Sequence, residues 1–138
     1  MPDGLVYRGR FPARAEQLKE IRAAVREAAL AAGCGEGCAQ DMVIAVDEAC
    51  QNIIRHGYCG DPDGPIELRI ERCGATLVFS LFDWAPKVDP AEVRPRDLDD
   101  LRPGGLGTHL MRETMDECEF VEPPPGCGNV LRMVKRIQ

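Results

Sequence analysis

The segment from Cys38 to about Arg55 most constrains the fold. Met42, Val43, Ala45, Val46, Ala49, Cys50, Ile53 and Ile54 recur at three- and four-residue spacing, which predicts a helix with a broad apolar face. A face that wide has to be covered by a second layer. The chain supplies one just downstream. In "IELRIER", Ile66, Leu68 and Ile70 alternate with Glu67, Arg69 and Glu71, the pattern of a half-buried strand. "LVFSLFD" (77–83) is more apolar still, and the tight "CGAT" link makes the two an antiparallel hairpin.

The remaining elements extend this plan. "LVYRGRF" (Leu5–Phe11) has β character. In "ARAEQLKEIRAAVREAALAAG", Leu18, Ile21, Val25 and Ala28 or Ala29 mark a first helix, with Gly33 as its stop. Gly57 terminates the second helix, and "YCGDPDGP" is a turn-rich loop. From Trp84 to Gly107 no period holds, and Pro86, Pro90, Pro95 and Pro103 interrupt the chain; a loop of this length is often functional. "GTHLMRETMDE" reads as a third helix, with Phe120–Val121 and "NVLRMVKRI" as the last strands. The order β-α-α-β-β-loop-α-β-β predicts an α/β (α+β) two-layer sandwich, a mainly antiparallel mixed sheet with helices on one face.

Residues 1–138 are the size of a single domain. There is no apolar run of membrane-spanning length and no signal-peptide pattern at the N-terminus, so a cytoplasmic protein is expected. The net charge of −6 argues against bulk attraction to nucleic acid or an anionic membrane. Seven cysteines without a CxxC pair are expected to be reduced and mostly buried rather than metal-binding.

Three local features carry possible chemistry. Glu48, Asn52 and His56 recur every fourth residue and so share one edge of the second helix. A carboxylate there can serve as general base, and an amide oxygen one turn later suits a hard cation such as Mg²⁺. Such a stripe on its own is more often a solvated helix edge. Asp83 ends an apolar strand beside the long loop, where it can accept a hydrogen bond from a ligand amino group or simply shape a turn. Gly104, Gly105 and Gly107 precede a helix, an arrangement that suits phosphate or simply a flexible helix start.

Taken together, the three features resemble the GHKL (Bergerat-type) ATP-binding fold, and within it the small bacterial anti-sigma factor/serine-protein kinase family. "VDEACQNIIRHGY" is similar to that family's N-box, E-x-x-x-N-x-x-x-H-x-Y/F. "LFDWAPKVDP" resembles its D-x-G-x-P-x-D-P segment. "GGLGTHLMRETMDECEF" resembles its glycine box and following helix, and "GNVLRMVKRI" its closing strand. The likeness runs from about Phe11 to Ile137.

The resemblance implies a role for each matched residue. Glu48 becomes the catalytic base that accepts the proton of a serine hydroxyl, Asn52 the Mg²⁺ ligand, and Asp83 the acceptor of the adenine amino group. Gly105, Leu106, Gly107 and Thr108 lie along the phosphates, and Gly104 lets the loop fold as a lid. His56 is expected to make a structural hydrogen bond, and His109 to lie on the helix surface. The cofactors implied are ATP and Mg²⁺. The implied partners are a STAS-domain anti-anti-sigma factor and a sigma factor, with a homodimer as the assembly. One position departs from the family pattern: Ala85 stands where the family has glycine, so a Cβ is expected to narrow the approach to the adenine. Two functions therefore remain open, a serine-protein kinase acting as anti-sigma factor and an ATP-responsive binding module without useful phosphotransfer. A histidine-kinase catalytic half is disfavoured by the lack of a phospho-acceptor helix pair.

Overall fold

The computed structural model describes residues 4–58, 61, 63–85, 111 and 113–137. Strand β1 (Gly4–Pro12) leads through a 3₁₀ turn (Ala15–Gln17) into helix α1 (Leu18–Ala31) and then helix α2 (Glu36–Asn52). Strands β2 (Pro65–Cys73) and β3 (Thr76–Asp83) follow, then β4 (Glu117–Val121) and β5 (Asn129–Arg136). The five strands form one sheet in the order β1-β2-β3-β5-β4, antiparallel at every described pairing.

The helices cover one face of this sheet. On α1 the buried residues are Ile21, Val25, Ala28 and Ala29, one stripe at helical spacing. On α2 they are Ala39, Met42, Ala45, Val46, Ala49 and Cys50. Three of those six are alanines, which let α2 lie close to its neighbours. Beneath them sit Ile66, Leu68 and Ile70 of β2, Leu77, Phe79 and Leu81 of β3, and Leu131 and Met133 of β5. Each fully buried side chain of this size contributes about 1.5–3 kcal/mol. The hairpin closes through Gly74 and Ala75, with Cys73 opposite Thr76, and Gly74 adopts φ +61°, the left-handed conformation that primed hairpin turns need.

The alternation in β2 correctly sends Ile66, Leu68 and Ile70 to the core. It also sends Glu67 to the open face, where that residue is nevertheless 3% exposed. Arg8, Arg10 and Arg69 fold over it, at 3.4, 3.8 and 2.6 Å. Burial opposes ionisation of Glu67, but the hydrogen bond and charge of Arg69 and the charge of Arg8 outweigh it and hold the carboxyl below its ordinary range.

Three expectations are adjusted. The second helix does not run regularly to Arg55: it ends at Asn52 and continues as a π turn over Ile53–Gly57. The third helix does not reach Glu117, because Asp116 N–H already bonds the Val134 carbonyl (2.9 Å) and β4 begins at Glu117. The cysteines are less buried than expected. Of the six described, Cys34 and Cys50 are buried, Cys38, Cys118 and Cys127 half-buried and Cys73 exposed, all as thiols and not disulfides. Among the described residues no helix is long and apolar enough to cross a membrane.

Candidate functional site

Glu48 and Asn52 sit one turn apart at the C-terminal end of α2, both half-buried. Their neighbours are tied up. Arg22 donates to Asp47 (2.9 Å), Gln51 donates to the other Asp47 oxygen (2.7 Å), and Arg55 donates to Gln51. Burial pushes the Glu48 carboxyl above its ordinary range, with Asp47 adding to the rise and Arg55 opposing it. Asn52 differs: its Oδ1 is buried and has no hydrogen-bond partner, the one such side-chain atom among the described residues. A buried acceptor without a donor is costly. It is also what a cation ligand looks like without its cation. An amide oxygen is a hard donor, and Mg²⁺ keeps several waters and needs few protein ligands, so the residue fits this ion. Among the described residues no three His, Cys, Asp or Glu side chains gather into a metal site.

His56 follows Asn52 by four residues but is more exposed than Glu48 and Asn52. It lies in the π turn, whose Tyr58 N–H bonds the Ile53 carbonyl five residues back (2.9 Å), and it is exposed. Helical irregularities of this kind recur at functional sites.

Asp83 closes β3 and is 5% exposed. Its Oδ1 accepts from Asn129 Nδ2 (2.9 Å) and from the Ala85 N–H (3.0 Å). Both bonds end on Oδ1, so Oδ2 has no donor among the described residues. Burial raises the Asp83 carboxyl above its ordinary range, partly offset by the bonds from Asn129 and Ala85. The β3–β5 register sets Asn129 directly opposite Asp83. Gly128 fits closely beside them: its N–H bonds the Asp83 carbonyl (2.9 Å), and a Cβ there would stand 2.1 Å from the Ala85 carbonyl oxygen. Ala85 is itself buried, and its methyl faces Gly57, where an added Cβ would lie 3.3 Å away.

The two halves meet through Tyr58. Its hydroxyl donates to the Pro65 carbonyl (2.6 Å) and accepts from the Trp84 N–H (2.7 Å). The end of the helix that carries Glu48 and Asn52 is thereby tied to the strand end that carries Asp83. Sequence reasoning missed Asn129 and Gly128, whose places depend on pairing across 46 residues for Asn129. Gly104, Gly105, Leu106, Gly107 and Thr108, like His109, lie outside the described residues.

The chain matches the family described as histidine kinase-like ATPase domain over residues 11–135. It belongs to that family. Among curated proteins it is 30% identical over 137 residues to the serine-protein kinase RsbW of Bacillus cereus (strain G9842), covering 94% of this chain and 83% of that one. A Bacillus mycoides RsbW is 28% identical over 139 residues, with the same shares covered. Two solved structures share the fold. One holds the RsbU and RsbW domains of a Mycobacterium tuberculosis protein (TM-score 0.67, 18% identity), covering 99% of this chain and 32% of that one. The other is the SiaB-SiaC complex of Pseudomonas aeruginosa (TM-score 0.66, 19% identity), covering 94% and 89%. Membership of this family gives the chain an ATP-binding domain, and the GHKL resemblance read from its motifs holds.

Proposed function

We propose that this ATPase-family domain is a cytoplasmic serine/threonine-protein kinase that acts as an anti-sigma factor. The reading is that it transfers the γ-phosphate of ATP to a serine or threonine of a STAS-domain anti-anti-sigma partner and sequesters a sigma factor. The observation that carries it is the orphaned Asn52 Oδ1, one turn beyond a half-buried glutamate. The kinase names of the RsbW relatives support the same reading.

In this scheme Asp83 Oδ2 accepts the adenine amino group while Asn129 and the Ala85 N–H hold Oδ1. Asn52 Oδ1 would hold Mg²⁺, which would supply neutralisation of phosphate charge when bound. The motif resemblance assigns Gly104, Gly105, Leu106, Gly107 and Thr108, which are outside the described residues, to the phosphates. Glu48 accepts the proton as the hydroxyl oxygen bonds to the γ-phosphorus and the bond to the ADP oxygen breaks. Its raised pKa makes it a better base at neutral pH than an ordinary carboxylate.

The test is transfer of labelled phosphate from ATP to a cognate STAS protein. Glu48→Ala should lower the rate by about 10²–10⁴-fold, the usual contribution of a positioned base, while ATP affinity stays within about twofold. Transfer by that variant at the wild-type rate removes Glu48 from the role. The alternative, an ATP-responsive binding module, is raised by Ala85, which stands where the family pattern has glycine and packs its methyl towards Gly57. It predicts ATP binding by the wild type with no transfer to any serine.

A further inference from the structure

Tyr58 sits where three segments converge, and its hydroxyl uses both of its roles on backbone groups. It donates to Pro65 at the start of β2 and accepts from Trp84 just past the end of β3. On its other side, the Tyr58 N–H closes the five-residue turn onto Ile53. The ring is seated by a residue chosen for absence of bulk: a Cβ on Gly64 would fall 2.5 Å from the ring carbons. Gly57, just before Tyr58, meets Ala85, just after Trp84: a Cβ on Gly57 would lie 3.3 Å from that of Ala85. The Asp83 carboxylate, by contrast, is held by Asn129 and Ala85 without help from Tyr58.

We infer that Tyr58 is a positioning residue, a latch whose hydroxyl fixes the spacing between the adenine acceptor on β3 and the metal-phosphate residues on α2. This rests on the nucleotide site proposed above. The latch touches neither end of the ligand. Its effect falls on ligands that must reach both ends at once, because a second anchor helps only when geometry lets both engage together. A ligand that uses the strand end alone is indifferent to it.

The experiment compares adenosine and Mg·ATP as ligands of the wild type, Tyr58→Phe and Gly64→Ala. Tyr58→Phe deletes the hydroxyl, and Gly64→Ala keeps it but displaces the ring. Trp84, the chain's single tryptophan, reports on the latch directly, and its emission should shift in both variants. Both variants should bind adenosine within about twofold of wild type yet lose about tenfold in Mg·ATP affinity, the loss expected when one of two linked anchors falls out of register. A loss merely from loosened structure weakens both ligands in proportion. Equal weakening, or no weakening of Mg·ATP in either variant, overturns the latch while leaving the nucleotide site standing. A wild type that binds neither ligand overturns the site and the latch with it.

Discussion

Two carboxylates lie almost equally buried on neighbouring strands, Glu67 at 3% and Asp83 at 5% exposure. They have opposite fates. Glu67 is ringed by three guanidinium groups, and its carboxyl is held below its ordinary range. Among the described residues Asp83 meets only neutral amide donors, both on one oxygen, and its carboxyl is pushed up. The first is electrostatically complete and stabilises the sheet's open face. The second is held in place with one oxygen to spare. Burial alone therefore does not mark a site; it is the unfinished partner set of Asp83 that supports the role proposed for it.

The sharpest way to break the comparison is to swap the spare oxygen for an amide. Asp83→Asn should lower ATP affinity by about 10²-fold, since a site built around one acceptor rejects its loss strongly. Stability should not fall with it. Because the folded pKa is raised, Asp83's contribution to stability is fullest below the unfolded value and is lost as pH rises through the folded one. Chemical denaturation across pH should therefore show wild type losing ground to the variant as pH climbs out of the ordinary aspartate range. A stability loss at neutral pH as large as the binding loss would make Asp83 structural, like Glu67.

The converse change is smaller. Glu67→Gln should lower stability by about 1–2 kcal/mol, a charge-assisted contact discounted because its arginines reach solvent, and leave ATP affinity within about twofold. Here the folded pKa is lowered, so the contribution is present above the unfolded value and is lost as pH falls through the folded one. The gap between wild type and variant should be widest near neutrality and close in acid. A gap that persists in acid would show that shape, not charge, holds Glu67.

The two residues also show what the sequence makes legible. Alternation in "IELRIER" places Ile66, Leu68 and Ile70 on the core side and Glu67 on the other, as found. It says nothing about whether Arg8 and Arg10, nearly 60 residues earlier, fold back over that glutamate; register across strands decides this. Asp83 stands out as a strand-end acid, but its partner Asn129 does not, because their meeting depends on β5 pairing with β3. On α2, helical spacing correctly joins Glu48 to Asn52. It does not reveal the π turn that starts one residue after Asn52, because an i→i+5 turn leaves little trace in local composition. Ala85 is visible as a departure from the family pattern, whereas the glycine that receives its methyl, Gly57, is known only from the fold.

The most direct test of the ATP site is a calorimetric titration of the reduced protein with ATP, with and without Mg²⁺, beside Asn52→Ala. If Asn52 Oδ1 is a cation ligand, Mg²⁺ should strengthen ATP binding to the wild type by about tenfold or more and leave the variant's affinity unchanged. A wild type that shows no ATP binding at millimolar concentration, or a variant that responds to Mg²⁺ as the wild type does, would contradict it.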